Sequence, residues 1–207
     1  MNPKAIKNIL RIDSSARGNA SVSRQLGDEL EARLLARHPG AGVTRLDLAG
    51  GVPHIDADWV AASFTPAETR DQAQAVRLAG SDAAIAALAA ADAVVLTVPI
   101  YNFSIPSVLK AWIDHLCRAG VTFRYTADGP VGLLADRPVS LVMATGGVTL
   151  GSPADFASGY LRHVLGFIGL HDVRLVAAEG VARDPDAARD RALEQIEHWL
   201  PAPVRAA

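Results

Sequence analysis

Ser14–Ser23 reads SSARGNASVS and carries four serines, one arginine and no lysine between an apolar run and an amphipathic one. Hydroxyls and backbone N–H groups at the entry to a helix donate hydrogen bonds to an anion, and the helix dipole adds to their effect. A triphosphate site of the GxxxxGK[ST] kind needs the missing lysine, and the GxGxxG of a dinucleotide site is also absent. The segment therefore predicts a site for a phosphate monoester. The alternative is that Ser21 and Ser23 only cap a helix.

A second candidate segment, Pro99–Leu116 (PIYNFSIPSVLKAWIDHL), places two aromatic residues and an amide on a loop between two prolines. Tyr101 and Phe103 on such a loop can stack on a flat ring, and loop N–H groups can bond to the ring edge. Pro106 suits the first position of the helix that follows. The alternative, two ordinary core aromatics, fits a polar loop less well. The segment indicates a binding loop for a planar ligand.

A third candidate segment, Ala144–Ser152 (ATGGVTLGS), contains a pair of glycines. Glycine lets a backbone approach a ligand closely because it has no Cβ. Taken alone, such a loop is often a simple turn, so it indicates a ligand site only if the fold places it beside the other two segments.

Strand and helix patterns alternate along the chain, which predicts a parallel sheet with helices on both faces. The predicted strands are Asn8–Asp13, Gly42–Leu48, Ala93–Pro99, Pro138–Thr145 and His171–Glu179. The predicted helices are Ser23–Arg37, Pro66–Ala91, Pro106–Arg118, Asp155–Ile168 and Asp184–Leu200. Five parallel strands favour a flavodoxin-like α/β fold over the six-stranded dinucleotide fold, with one domain over residues 1–207. Ligands of such folds bind at the carboxyl ends of the strands, where all three candidate segments lie.

Two stretches depart from this alternation. Gly50–Pro66 has no clear period, and we expect an irregular surface excursion there. Phe123–Leu134 (FRYTADGPVGLL) predicts a hairpin or extended insertion with Asp128–Gly129 as its turn.

Composition argues against several classes of protein. The chain of 207 residues has 20 basic and 22 acidic residues, a net charge of −2 and no basic stripe, which argues against nucleic-acid binding. The hydrophobic content of 50% is enough for a full core in one domain. No apolar run reaches the roughly 20 residues of a membrane span. Because Met1–Asp13 also shows no signal-peptide pattern, we expect a cytoplasmic protein without a membrane partner.

Residues that bind metals or act as nucleophiles form no recognisable pattern. Cys117 is the only cysteine and lies in an apolar helical pattern, so we expect a core residue rather than a redox thiol. The six histidines lack the spacing of a metal site, and we expect no metal. No GxSxG nucleophile elbow is present.

The chain resembles the FMN-dependent NADH-azoreductases, also described as FMN-dependent NADH:quinone oxidoreductases, of the flavodoxin-like superfamily. The resemblance covers Ser14 to Gly180 and depends on SSARGNASVS, PIYNFSIPSVLKAWIDHLCRAGVTFRYTADGPVGLL and YLRHVLGFIGLHDVRLVAAEG. It implies that the first turn binds the FMN phosphate and that the two later loops bind the isoalloxazine ring. The implied cofactor-binding residues are Ser15, Ser21, Val22, Ser23, Ile100, Tyr101, Asn102, Phe103, Ala144, Thr145, Gly146 and Gly147. Family members often have Ser-Arg before the two glycines where this chain has Ala144–Thr145, and we expect weaker nicotinamide selectivity from that change.

The resemblance also implies a ping-pong reaction. NADH passes a hydride to N5 of FMN and leaves, and a quinone or azo compound then receives the electrons. A homodimer is implied, with the hairpin as a lid on the neighbouring subunit's pocket. The implied substrate pocket consists of Asn102, Phe103, Phe123, Tyr125 and Gly147. Tyr125 is a candidate proton donor, no other catalytic residue is assigned, and the alternative for Phe123 is a place in its own core.

Two other functions stay open. An NAD(P)H-dependent FMN reductase treats flavin as a released substrate and would lose FMN on gel filtration. A flavodoxin-type electron carrier docks on another protein and is typically strongly acidic, a charge that this chain lacks.

Overall fold

A parallel β-sheet forms the centre of the protein in a computed structural model that describes residues 5–200. The strands among those residues are β1 (Asn8–Asp13), β2 (Gly42–Asp47), β3 (Ala93–Pro99), β4 (Phe123–Thr126), β5 (Gly129–Gly132), β6 (Val139–Thr145) and β7 (Val173–Glu179). Five of them form the sheet in the order β2-β1-β3-β6-β7, and every neighbouring pair is parallel. The predicted five-stranded parallel sheet is therefore confirmed.

Helices cover both faces of this sheet. In the described part of the chain they are α1 (Val22–Arg37), α2 (Ala57–Phe64), α3 (Gln72–Ala90), α4 (Ser107–Leu116), α5 (Ser158–Phe167) and α6 (Pro185–Trp199). On one face, Leu26 of α1 and Ile196 of α6 share a buried apolar cluster with Val95 of β3. On the other face, α3, α4 and α5 build a second cluster that includes Leu88 and Trp112. The two ends of the predicted 1–207 domain, residues 1–4 and 201–207, lie outside the described residues.

The order of the strands determines where a ligand can bind. From β1 the chain runs outward to β2 and then returns to the other side of β1 to form β3, so the order reverses between β1 and β3. Open α/β sheets bind ligands at such a switch point, beside the carboxyl ends of the strands. Because β1, β3 and β6 are neighbours, their last residues (Asp13, Pro99 and Thr145) lie side by side at one edge.

A buried arginine lies beneath this edge. Arg11 of β1 is 1% exposed, and its guanidinium donates to Asp13 at 3.1 Å, to Asp28 at 2.6 Å and to Glu31 at 3.4 Å. Burial lowers the pKa of Arg11, but Asp13 and Asp28 outweigh that effect and the pKa is raised. Thr97 of β3 also donates to Asp13, at 2.6 Å. A buried charge persists in a core when its hydrogen bonds are satisfied, and this network joins β1, β3 and α1 below the first turn.

The segment predicted to be irregular contains α2, so that prediction was wrong over Ala57–Phe64. Asp56 caps this helix by accepting from the Trp59 N–H at 2.9 Å, and Trp59 is buried. With 8 residues, α2 is too short to show a clear hydrophobic period.

Other predicted boundaries also shift. The helix predicted from Pro66 begins at Gln72, because Asp71 and Gln74 form a capping box there. Pro106 precedes α4 as its N-cap residue instead of opening it. The β4–β5 hairpin pairs Thr126 with Gly129, so its turn is formed by residues 127–128 and not by Asp128–Gly129.

Candidate functional site

The first turn ends in the N-terminus of α1. Ser21 is the N-cap residue, and its hydroxyl accepts from the Arg24 N–H at 3.4 Å, so the capping role is real. Its oxygen also lies 3.1 Å from the hydroxyl oxygen of Ser23, and both side chains are buried. The N–H groups of Val22 and Ser23, the first two of the helix, have no acceptor within it. The turn therefore offers backbone donors and a positive helix end in addition to hydroxyls.

Arg24 holds this turn in place. Its guanidinium donates to the carbonyl oxygen of Ser15 at 2.7 Å and to both carboxylate oxygens of Asp47, at 2.6 and 2.8 Å. The hydrogen bond from Arg24 is the largest influence on Asp47 and lowers the pKa of that carboxyl. A bidentate pair of this kind fixes geometry, so Arg24 connects the first turn to the end of β2.

The loop after β3 that contains Tyr101 and Phe103, called the aromatic loop below, is a tight turn in an unusual conformation. Tyr101 and Ser104 exchange two backbone hydrogen bonds, of 2.9 and 3.0 Å, around Asn102 and Phe103. Both central residues have positive φ, 48° for Asn102 and 72° for Phe103. The left-handed region costs a residue with a Cβ roughly 1–2 kcal/mol, and such strain clusters at functional sites. The ring of Phe103 is 57% exposed as a result of this turn.

The third loop, which is the part of Ala144–Ser152 that follows β6, begins beside the aromatic loop. The Ile100 N–H donates to the Ala144 carbonyl oxygen at 2.8 Å, which joins the ends of β3 and β6. Thr145 is 2% exposed, and its hydroxyl accepts from the Val148 N–H at 2.9 Å. Within residues 5–200, the N–H groups of Gly146 and Gly147 have no acceptor. The glycines are thus available to a ligand, whereas the Thr145 side chain faces its own loop.

A groove of about 210 Å³ runs between these loops. Its walls come from the first turn, the aromatic loop, the third loop and the start of the loop after β7. The lining residues are Ser15, Arg17, Ser21, Val22, Pro99, Ile100, Tyr101, Ala144, Gly146, Val181 and Ala182. Seven residues of the predicted cofactor site line this one groove: Ser15, Ser21, Val22, Ile100, Tyr101, Ala144 and Gly146.

The remaining predicted site residues lie around the groove. Asn102 lines a neighbouring recess of about 590 Å³ with Tyr101, Phe156 and Tyr160. Gly147 lines a second recess, of about 470 Å³, on the other side of Gly146. Ser23 and Thr145 are buried in the turns that form the walls, and Phe103 projects from the aromatic loop.

The two predicted lid residues have opposite environments. Phe123 is 7% exposed, and its ring centroid lies 4.3 Å from that of Phe167 in the same chain. This corresponds to the alternative in which Phe123 fills its own core. Tyr125 is 74% exposed and touches Phe123 edge-on at 5.4 Å. Of the pair, Tyr125 is the residue whose side chain the hairpin exposes.

Four residues that line the groove were not among the predicted cofactor-binding residues: Arg17, Pro99, Val181 and Ala182. Arg17 is an exposed cation of the first turn, and it lies within the serine-rich segment Ser14–Ser23. Val181 and Ala182 follow β7, and the rule that ligands bind at carboxyl ends applies to that strand as well. Arg24 was missed because its role depends on Asp47, which is distant in sequence.

Neither a metal site nor a membrane segment is seen in the part of the chain that the structure describes. Over residues 5–200, no three histidine, cysteine, aspartate or glutamate side chains are grouped so as to hold a metal ion. No helix over the same range is both long and apolar enough to cross a bilayer.

Comparison with known proteins identifies the family of this chain. A family described as "Flavodoxin-like fold" matches residues 7–200. A protein of Hahella chejuensis named FMN-dependent NADH:quinone oxidoreductase 1 is 49% identical over 92% of this chain and 94% of its own length. A protein of the same name from Jannaschia sp. is 49% identical over 91% of this chain and 96% of its own.

Solved structures give the same result. The azoreductase of Bacillus anthracis str. Sterne superimposes with a TM-score of 0.82 and 32% identity, over 93% of this chain and 96% of its own. An FMN-dependent NADH-azoreductase of Bacillus anthracis str. Ames Ancestor, solved in complex with FMN, has a TM-score of 0.83 and 25% identity, covering 94% of this chain and 97% of its own. Fold and site together define a flavodoxin-like oxidoreductase. Within that class, the chain belongs to the family of FMN-dependent NADH:quinone oxidoreductases.

Proposed function

We propose that this chain binds one FMN in the groove and uses it to carry electrons from NADH to quinones and aromatic azo compounds. The observation that carries the proposal is the groove itself, which brings the first turn, the aromatic loop and the third loop together at one edge of the sheet. The names of the relatives, with FMN and NADH as cofactor and reductant, support the same assignment.

The residues present fit the two ends of FMN. At one end, the backbone N–H groups of Val22 and Ser23 at the start of α1 have no acceptor among residues 5–200, and Arg17 adds a positive charge. At the other end, Gly146 and Gly147 offer N–H groups without acceptors among residues 5–200. Neutral donors to a charged oxygen contribute roughly 1.5–3 kcal/mol each, so a few of them hold a phosphate monoester.

Each of these groups has a task in the reaction. Bound FMN supplies the redox chemistry, taking a hydride from NADH and passing two electrons to the acceptor. The N–H groups of Gly146 and Gly147 are positioned to stabilise negative charge at the edge of the ring, in the manner of an oxyanion hole. Phe103, on its left-handed turn, provides an apolar wall against which a flat substrate stacks. Tyr125 is the candidate proton donor, and solvent is the alternative source of protons.

A cofactor experiment tests the proposal directly. The purified protein should be yellow, retain FMN on gel filtration and bleach when NADH is added without oxygen. Riboflavin, which lacks the phosphate, should bind far more weakly than FMN. Loss of FMN on gel filtration would favour the FMN reductase. Bleaching that is reversed only by a protein partner, and not by a quinone, would favour the electron carrier.

The order of the two half-reactions is a further part of the proposal. If one face of the site serves both substrates, NADH must leave before the acceptor enters. Plots of reciprocal rate against reciprocal NADH concentration at several quinone concentrations should then be parallel. Intersecting lines would show a ternary complex instead. Quinones should turn over faster than azo dyes, because full cleavage of an azo bond needs two such cycles.

We also propose a homodimer in which the hairpin of one chain covers the site of the other. The exposed Tyr125 carries this proposal, since an exposed aromatic on a hairpin is suited to packing on a partner. Mixing equal amounts of a Phe103→Ala chain and a Tyr125→Ala chain should restore roughly a quarter of all sites, because about half of the dimers are heterodimers and each heterodimer has one intact site. A protein that is monomeric and fully active at the assay concentration would contradict sharing.

A further inference from the structure

A basic recess lies next to the proposed ring site. It has a volume of about 470 Å³ and shares Gly146 with the groove. Its lining residues are Gly146, Gly147, Val148, Thr149, Glu179, Gly180, Arg183 and Arg191. The loop after β7 separates the two spaces, with Val181 and Ala182 on the groove side and Arg183 on the recess side. A molecule that reaches past Gly146 from the groove therefore enters the recess.

The recess contains two cations that have no ion-pair partner in the described part of the chain. Within residues 5–200, neither Arg183 nor Arg191 forms an ion pair, and both are exposed. Arg191 donates to the Glu179 carbonyl oxygen at 3.0 Å, which holds its guanidinium against the end of β7. Arg183 is anchored by its backbone instead, with its N–H on the Gly180 carbonyl oxygen at 3.0 Å. Its side chain is left free to contact a ligand.

The carboxylates nearby are already engaged. Glu179 lines the same recess and accepts from the Leu150 N–H at 2.5 Å. Asp184 caps α6 by accepting from the Ala187 N–H at 3.0 Å. Each carboxylate thus has a backbone donor, and among the described residues neither forms an ion pair with Arg183 or Arg191. The arginines therefore keep the hydrogen-bonding capacity that an anion would use.

The third loop brings no cation of its own to this place. Thr145 is buried with its hydroxyl on the Val148 N–H, so a positive charge beside the two glycines has to come from the neighbouring loop. We propose that Arg183, supported by Arg191, forms a subsite for an anionic oxygen group of a substrate. The group is a phosphate of the reduced dinucleotide or the sulfonate or carboxylate of an acceptor. This inference rests on the proposed function, because it assigns a charged part of a substrate to a place beside the same groove.

The test compares Arg183→Gln with Arg37→Gln, which removes the same charge from an exposed position at the end of α1. Each FMN-loaded protein is assayed with NADH and with the uncharged reductant 1-benzyl-1,4-dihydronicotinamide, using benzoquinone as a neutral acceptor. If the subsite binds the dinucleotide, Arg183→Gln should raise KM for NADH about 10-fold and leave the uncharged reductant unchanged. Arg183→Lys should recover part of the loss, since it restores the charge without the fork of donors.

A second set of assays tests whether the anionic group belongs to the acceptor. With the uncharged reductant, benzoquinone is compared with anthraquinone-2-sulfonate. A rise in KM for the sulfonate alone assigns the subsite to acceptors. An equal loss with every pair of substrates, or no change with any pair, would overturn the proposal. Salt provides a further check: KM for the charged substrate should rise with ionic strength in the unaltered protein and respond less in Arg183→Gln.

A binding measurement separates this inference from the proposed function. Equilibrium dialysis measures the Kd of unreactive tetrahydro-NAD and of anthraquinone-2-sulfonate without turnover. Weaker binding of either probe to Arg183→Gln than to Arg37→Gln supports the subsite even if no reaction occurs. Equal binding to both variants rejects it. If the unaltered protein does not turn over 1-benzyl-1,4-dihydronicotinamide and benzoquinone, that result would count against the proposed function and not against the subsite.

Discussion

The hydroxyl oxygen of Ser15 lies 3.1 Å from the phenol oxygen of Tyr101. The first belongs to the turn after β1 and the second to the loop after β3, so one hydrogen bond joins two walls of the groove. Ser15 also accepts from the Arg17 N–H at 3.2 Å. Its hydroxyl is therefore occupied in shaping the turn, which explains why a residue predicted to contact the cofactor is fully buried.

Tyr101→Phe removes this connection while it keeps the ring. We expect Kd for FMN to rise roughly 3- to 10-fold, the equivalent of a hydrogen bond worth about 1 kcal/mol. Riboflavin should be affected by the same factor, because the lost bond lies in the wall and not at the phosphate. Quenching of flavin fluorescence on titration measures both constants. Ser63→Ala, which removes a hydroxyl from α2, serves as control, and a loss confined to FMN would contradict the assignment.

Ser21→Asp tests the phosphate end without losing the helix cap. Aspartate caps helices as well as serine does, so the free energy of unfolding of the FMN-free protein should change little. A carboxylate beside a phosphate is repelled, and Kd for FMN should rise roughly 10-fold or more. Kd for riboflavin should change much less. Ser21→Ala is the matched variant, since it should cost about 1 kcal/mol of stability through the lost cap.

If Ser21→Asp weakens FMN and riboflavin equally, the phosphate does not lie at the start of α1. That result would move the cofactor within the groove and leave the fold untouched.

The pair of Arg24 and Asp47 makes stability depend on pH. The hydrogen bond from Arg24 lowers the pKa of Asp47 in the folded protein, so the contribution of this pair is present above the ordinary carboxyl value of 3.8. It is lost as the pH falls below that value through the folded-state pKa. Chemical denaturation of the protein and of Asp47→Asn, between roughly pH 6 and pH 3, should show a stability difference that shrinks on acidification. A constant difference would contradict the interpretation.

Cys117 should be an unreactive thiol. Burial raises the pKa of this thiol to about 11, and the nearby carboxylate of Asp114 acts in the same direction. Because the thiolate is the reactive form, alkylation by iodoacetamide should be slow near neutral pH and accelerate up to that pKa. The urea-unfolded protein is the control and should react at the rate of a free cysteine. Rapid alkylation of the folded protein at neutral pH would contradict the prediction.

Gly27 is needed where α1 crosses the sheet. A Cβ there would lie 2.5 Å from the Thr97 methyl carbon and 3.0 Å from a guanidinium nitrogen of Arg11. Gly27→Ala should lower the free energy of unfolding by roughly 1–3 kcal/mol through overpacking. Gly80→Ala on α3 is the matched control, because nothing lies within 4 Å of its added Cβ. That variant should gain up to about 1 kcal/mol from helix propensity, so equal effects at both positions would refute the packing argument.

Much of this fold was predictable because its central strands are buried on both faces. β1 and β3 have the predicted bounds, since a continuous apolar run ends where the chain leaves the sheet. α2 was not predictable in the same way, because a helix of 8 residues, about two turns, gives too few positions to establish a period. Its cap, Asp56, was the available signal.

The loops of the site were found from residue types, but the part that each residue plays depends on tertiary contacts. Ser21 and Ser23 pair with each other, and Ser15 pairs with Tyr101, which no spacing in the sequence reveals. Arg183 is one exposed arginine among many until the fold places it beside Gly147.

The left-handed backbone of Asn102 and Phe103 has a consequence for the rate of substrate exchange. A ring carried on a two-residue turn, closed by hydrogen bonds on both sides, stands in place before any molecule arrives. In the proposed cycle the same surface binds and releases two substrates in each turnover. A wall that had to close over each substrate would therefore slow both binding steps. A fixed wall removes loop closure as a step before either substrate binds, so the rate constants of binding should depend on diffusion, and hence on solvent viscosity, more than on motion of this loop.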